Sequence, residues 1–436
     1  MKSKVILFAT VLVIVFSMSI IATAQEVAIE PLPCEEAGEL TMWVWDENWA
    51  EIIGNSIEVW KAEYCPGAEV ELVHQPWGEY WTLMRTNAAG GEMPDVFSMN
   101  QTNVDFYGKN GVLLNLQPYF DEFGLDTDVW GSGMIDPYRF GEDNAPYAAP
   151  MEWVTVAMLY NQDMFDAADL EYPTAEWTWD DFAAAAEALT NPEEDVYGAA
   201  TYMEYQTGYP NWIAATGESP VVAPQRAGCT LTSDESLEAL GFLKGLYDAG
   251  YMPSVSTMGG ASADDAFNMF VSGKVGMISA GSWKIQDAIE QIEFNWDIVQ
   301  QPRHPETGRS RSTLHASSYA AAANGDNPDL AANLILFLVS DEGQQIFAEA
   351  GGAAPSNPNP DVQGLWAQTY TDAGKNVQAY IDATIDSQGI TAFGEIWDAV
   401  SNEIVVNIFD LDMDVEEAAE LACEFVDETL AELAEE

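Results

Sequence analysis

The chain has 436 residues, with 14 basic and 72 acidic side chains and a net charge of −58. A field this negative repels nucleic acid, acidic membrane surfaces and phosphorylated ligands, and so excludes partners of those kinds. The length is large for one packed body and comfortable for two.

Lys2 and Lys4 precede an almost wholly apolar run from Val5 to Ile21, and Ala22-Thr23-Ala24 then offers the small residues that a signal peptidase reads. Residues 1–24 are therefore predicted to be a secretory signal peptide. A lipid anchor would need a cysteine directly after the cleavage site, but the first one is Cys34. The expectation is a soluble mature protein that is secreted or extracytoplasmic, in periplasm or at the cell surface. In that setting the four cysteines suggest two disulfides, for which three pairings exist.

Leu40 to Trp45 is an apolar run that predicts a buried strand. Ile53, Ile57 and Trp60 follow at helical spacing, then a turn at Cys65-Pro66-Gly67 and a second strand over Val70 to Val73. Residues 77–89 read as a helix, Gly90 to Pro94 as a loop and Asp95 to Met99 as a third strand. Strands alternating with helices predict βαβ units. The alternation returns with a strand over Thr155 to Tyr160 and a helix capped by Thr178 and Asp181. A second capping box is expected at Thr232 and Glu235. Strands follow at Val275 to Ser279 and Trp296 to Val299. Residues 328–350 predict two helices broken near Ser340. The stretch 414–434 carries Val415, Ala418, Leu421, Ala422, Phe425, Val426 and Leu430 as an apolar stripe for core packing. The loop Pro302 to Arg311, with three arginines, reads as a solvated loop or a crossover.

The sequence holds no nucleophile elbow, H-E-x-x-H, P-loop or G-x-G-x-x-G. Its three histidines, His74, His304 and His315, are too scattered for a metal cluster, so neither catalysis nor a cofactor is expected. What it does hold is 15 Trp, 17 Tyr and 18 Phe, several of them near predicted strand ends. Flat rings suit the C–H face of a sugar, while carboxylates and amides suit its hydroxyls. A neutral ligand also tolerates the acidic field. Core packing remains the commoner role for any single tryptophan.

Six segments in order resemble the extracellular solute-binding proteins of carbohydrate ABC importers, the family that includes maltose-binding protein. They are Leu40 to Trp45, Gly91 to Val96, Tyr147 to Pro150 with Tyr160 to Phe165, Trp177 to Phe182, Phe270 to Met277 with Gly281-Ser282-Trp283, and Leu338 to Gln344. The resemblance implies an α/β, two-lobe periplasmic-binding-protein-like fold of type II. Each lobe would be a mainly parallel sheet flanked by helices, and hinge strands would join them. The implied N-terminal lobe is 37–149 plus 303–356, and the C-terminal lobe is 150–302 plus 357–436. Of the three pairings, this division favours Cys34 with Cys65 and Cys229 with Cys423, since each pair then falls on one lobe.

The resemblance also implies ligand contacts. These are Trp45, Asp46 and Glu47 after the first strand, Trp77 and Tyr80 after the second, and Asn100 and Gln101 after the third. Glu152 and Trp153 sit on the first crossing, and Tyr205, Tyr209 and Trp212 on a loop. Trp283 belongs to the G-x-W element, His315 and Ser317 follow the second crossing, and Phe393 lies in a late capping segment. The function so implied is capture of a mono- or oligosaccharide in the cleft by hinge closure, and its delivery to the permease subunits of an ABC importer by a monomeric binding protein. A polyamine- or cation-binding importer component, a secreted glycosidase and an adhesion protein are the competing readings. A phosphorylated ligand would need cleft Arg or Lys, of which the expected cleft segments hold essentially none.

Overall fold

The computed structural model describes residues 29, 34, 38–141, 144–201, 205–223, 227–260, 262–384, 388–389, 396, 400 and 403–435. The expected signal peptide and Phe393 lie outside the described residues.

Two βαβ steps open the first lobe: β1 (Glu39–Val44), α1 (Glu47–Glu63), β2 (Glu69–His74), α2 (Trp77–Gly90) and β3 (Val96–Asn100). Asp46 starts α1 by accepting the Trp49 N–H at 2.9 Å. The inward face of α1 carries Trp49, Ile52, Ile53, Ile57 and Trp60, and this amphipathic spacing pins it to the sheet. Gly91 ends α2 in the left-handed conformation, at φ 74°, where glycine costs least.

The chain then runs through β4 (Ala148–Val154) directly into β5 (Val156–Asn161). The elements that position the second half of the site follow in order. They are α3 (Trp179–Leu189), β6 (Tyr197–Ala200), α4 (Tyr209–Thr216), α5 (Asp234–Asp248), α6 (Ala263–Val271), β7 (Val275–Gly281), β8 (Trp296–Val299) and β9 (Thr313–Ala321). The remaining helices used below are α7 (Pro328–Val339), α8 (Asp341–Glu349), α9 (Pro360–Asp372) and α10 (Val415–Glu435).

In the first sheet β1 lies parallel to β2 and β3, β9 pairs antiparallel with β3 and β4, and Gln388–Gly389 adds a short parallel edge. Apolar clusters cover both faces. One joins Leu40, Met42 and Val44 to α1 and α7. The other joins Phe97 and Met99 to Tyr80, Trp81 and Met84 of α2. Every residue of α7 from Leu330 to Val339 is buried, as a helix apolar on all sides must be. Ser340 ends α7 and caps α8, accepting the Gly343 N–H at 3.2 Å.

The second sheet runs in the order β8, β5, β7, β6. Here the expected mainly parallel character fails. Only β6 and β7 are parallel, while β5 is antiparallel to both β7 and β8. β5 enters this sheet directly from β4 of the first lobe, and that entry sets its direction.

Thr178 and Asp181 form the expected reciprocal cap of α3. At α5 the cap moves one residue on: Ser233, not Thr232, accepts the Ser236 N–H. The α10 stripe is buried at Ala418, Ala422, Val426 and Leu430, but Leu421 is 41 % exposed. The disulfides pair Cys34 with Cys65 and Cys229 with Cys423.

Three segments pass between the lobes and are stitched to one another. The Trp153 N–H donates to the Ala354 carbonyl at 2.9 Å, and the Ser356 N–H to the Met151 carbonyl at 3.2 Å. The Val156 N–H donates to Ser312 Oγ at 2.6 Å. The first sheet holds β4 through Val154, and the second begins at Val156. The arginine loop is part of this crossover. Arg303 is held to the start of α3 through the Ala175 carbonyl and the Glu176 carboxylate.

Candidate ligand-binding cleft

A cavity of about 710 Å³ lies between the lobes. It opens at the carboxyl ends of β1, β3 and β7, where α/β sheets present the loops that hold ligands. Trp45, Asp46, Trp77, Asn100, Gln101, Glu152, Trp283, His315 and Ser317 line it.

The first-lobe wall is aromatic. Trp45 lies with its ring centroid 5.2–5.6 Å from those of Trp49, Trp77, Tyr80 and Trp81. Trp77 meets Trp81 edge-on at 5.4 Å. Edge-to-face contacts between aromatic rings hold one another in fixed orientation. The fold explains the grouping: Trp45 and Trp49 flank the start of α1, while Trp77, Trp81 and Arg85 recur every four residues on α2 and share a face. Trp77 is 51 % exposed, a large apolar ring left facing the opening.

The opposite wall carries Gln206, Ser262, Ala263, Asp264, Trp283 and Lys284. Trp283 stands on Gly281. A Cβ built at Gly281 would come 1.7 Å from Trp283 Cζ3, so the glycine leaves room for the indole to lie back over the backbone. Trp283 also meets His315 at 6.2 Å between centroids.

The floor is formed by β4 and β9, whose register sets Glu152 opposite Ser317. Glu152 is 2 % exposed. Burial pushes its carboxyl up to about 8, with a hydrogen bond from the Ser317 hydroxyl opposing and the charge of Asp46 reinforcing that shift. Burial raises Asp46 as well, against the N–H groups of Trp49 and Asn48. Burial holds the His315 imidazole down, at about 3, so it is neutral. The Gln206 amide nitrogen packs 2.8 Å from its Nδ1. Among the described residues, Trp81 Nε1, Gln101 Oε1 and Glu152 Oε2 are buried without a hydrogen-bond partner. Such groups are costly unless something satisfies them.

Two cations correct the expectation of a cleft free of Arg and Lys: Arg85 and Lys284 both line the cavity. Arg85 sits on the stretch 77–89, read simply as a helix, and Lys284 directly follows the G-x-W element. Lys284 is bound to Asp264 at 2.8 Å and Asp287 at 2.9 Å. Burial works to lower its pKa, but the hydrogen bonds it donates to these carboxylates outweigh that and hold it above the usual lysine range. Among the described lining residues, Asp46, Glu152 and Asp264 stand with Arg85 and Lys284.

The other expected contacts are placed off the cavity. Glu47 is exposed on the first turn of α1. Tyr80 stands behind the wall and donates to the Ser98 carbonyl at 2.6 Å. Trp153 packs on Trp366 and donates to Gln363 Oε1 at 3.2 Å. Tyr205 and Tyr209 are fully buried, and Trp212 is wedged among Trp179, Phe182 and Phe242. Conversely, Trp49, Trp81, Thr82, Arg85, Gln206 and the α6 start line the cavity outside the contacts that the resemblance implies. The spacing of four from Trp77 is the signal that could have found two of them, Trp81 and Arg85.

A profile of the bacterial extracellular solute-binding proteins matches residues 61–394. The galactooligosaccharide-binding protein of Bacillus subtilis is 21 % identical over 342 residues, 78 % of each chain. An ABC substrate-binding protein of Listeria monocytogenes, solved with cycloalternan, superposes with a TM-score of 0.81 at 22 % identity, covering 91 % of this chain and 100 % of that one. The GacH receptor of Streptomyces glaucescens gives 0.76 at 20 % identity, over 89 % and 97 %. At such identities the structural likeness shows a shared two-lobe α/β fold.

Proposed function

The chain belongs to the bacterial extracellular solute-binding proteins, and on that premise we propose that it is the sugar-capturing component of an ABC importer. A neutral mono- or oligosaccharide enters the cleft, the lobes close on it about the three crossing segments, and the closed form hands it to the permease. The observation that carries this reading is the cavity lining: an aromatic wall on one lobe, a tryptophan on the other and polar oxygens between. Ring faces take the C–H surface of a sugar, and the partnerless floor groups take its hydroxyls. Ligand contacts on both lobes favour the closed state, so binding and closure are one equilibrium. The relatives named for galactooligosaccharide and cycloalternan support a saccharide as the ligand class.

The test is a thermal-shift screen of the mature protein against neutral mono- and oligosaccharides, with polyamines and sugar phosphates as controls and product formation assayed alongside. A ligand that binds only the folded state raises the melting temperature by mass action. A rise with one class of sugar and no turnover is expected. A rise with polyamines alone would replace the sugar reading by cation import, and turnover of a bound sugar would replace it by glycoside hydrolysis.

A further inference from the structure

Glu152 is a carboxyl buried in the floor of the cleft. It sits in the middle of the crossing strands, bridged to Pro355 of the third crossing and opposite Ser317 of β9. One oxygen accepts from the Ser317 hydroxyl, while Oε2 is buried with no partner among the described residues. A buried carboxylate survives only with a cation or several donors beside it. Among the described residues, the groups around Glu152 supply neither. Its own strand β4 carries no other titratable residue, and β9 presents the neutral imidazole of His315 and the phenol of Tyr319. The short helical turn before β4 presents Tyr138, whose hydroxyl donates to the Ala316 carbonyl. The loop after β1 presents the carboxylate of Asp46, which raises the cost of a second negative charge. The cations of the cavity are elsewhere: Lys284 is held by Asp264 and Asp287, and Arg85 is exposed on α2 against the Phe106 ring.

We infer that Glu152 keeps its proton in the folded protein and, as a neutral carboxylic acid, donates a hydrogen bond to an acceptor oxygen of the ligand. The inference rests on the sugar reading above and sharpens it, because it makes Glu152 a specificity-determining residue. Gln101 Oε1 has no partner of its own, its Nε2 being spent on the Gly133 carbonyl at 3.0 Å. The lining therefore offers one donor at Glu152 and one acceptor at Gln101. A hydroxyl is both acceptor and donor and can answer both. An ammonium is donor only, and it can use Glu152 only by driving off the proton. Neutral sugars and polyamines are thus separated by the sign of their proton linkage. Sugar affinity falls as pH rises and Glu152 ionises. Cation binding releases a proton and strengthens with pH.

The test uses the mature chain as wild type, Glu152→Gln and Glu152→Leu. Infrared spectra of the ligand-free proteins near neutral pH come first. The stretch of a protonated carboxyl is expected in wild type and missing from both variants. Its absence from the difference spectrum overturns the inference whatever the ligand is. Calorimetric titration with maltotriose, galactobiose and spermidine, from mildly acidic to alkaline pH, then reads the role. For a sugar that binds, wild-type affinity is expected to fall by up to about tenfold per pH unit above the ionisation of Glu152. Glu152→Gln, which retains a neutral donor and acceptor, is expected to lose that pH dependence, and Glu152→Leu to bind weakly at every pH. A sugar bound with a flat wild-type profile overturns the donor role, as does spermidine binding with proton release. The infrared band present with no heat from either sugar marks failure of the sugar reading, which differs from failure of this inference.

Discussion

The two walls of the cleft are built on opposite principles. The first-lobe wall is redundant: five rings from two successive βα units brace one another, and Trp45 touches four of them. Among the described residues the second-lobe wall depends on one ring, Trp283, whose seat exists because residue 281 has no side chain. A braced wall is pre-organised, so little ordering entropy remains to be lost on binding. A single ring on the facing lobe can supply affinity only when the lobes close. Damage to the first wall should therefore register mainly in folding, and damage to the second mainly in binding.

The largest expected effect tests the first half of that statement. Trp45→Ala removes the centre of the ring cluster and should cost about 2–3 kcal/mol in urea unfolding, below the full cost of a deeply buried tryptophan because Trp45 is only half-buried. Next comes Trp283→Ala, expected to weaken sugar binding by about 2 kcal/mol, roughly thirtyfold, with unfolding of the free protein changed by less than about 0.5 kcal/mol. Gly281→Ala should move affinity in the same direction by displacing the ring without removing it. An equal loss of stability and affinity in both walls would break the comparison.

Glu152 gives the third effect, in the stability of the free protein. Its folded pKa, about 8, lies above its ordinary value of 4.5. Between those values the unfolded chain has released a proton that the folded chain retains, so this group makes stability fall as pH rises. The contribution approaches about 1.4 kcal/mol per pH unit. It should vanish in Glu152→Gln, as read by the difference between the two pH–stability curves. Fourth, Trp77→Ala should weaken binding by less than about fivefold, because neighbouring rings keep the wall in place. The smallest effect concerns charge. Despite a net charge of −58, affinity for a neutral sugar should stay within about twofold between low and high salt, whereas a cation's would drop.

The sequence reveals the first wall's frame more fully than its surface. Alternating strands and helices, the Thr178 cap and the break at Ser340 are local signals, and they are where expected. The antiparallel centre of the second sheet was hidden, because strand direction there depends on where the chain re-enters from the other lobe. Aromatic residues misled in one place. Tyr209 and Trp212 looked like loop groups, yet every residue of α4 is buried, since a ring in an irregular stretch does not reveal which side of it meets water. Asp264 and Ser262 carried a plain helix-start signal and no sign of a cleft, though both line one. Gly281 was visible as part of G-x-W, but the reason for the glycine is a contact between residues two apart that only three dimensions show.

The most direct test of a sugar held between the two walls is small-angle X-ray scattering of the protein during titration with the sugar that raises its melting temperature most. Closure of the lobes predicts a saturable fall in the radius of gyration that tracks occupancy in wild type, and a much smaller fall in Trp283→Ala at equal occupancy. Saturation of the cleft with no contraction of wild type would contradict it.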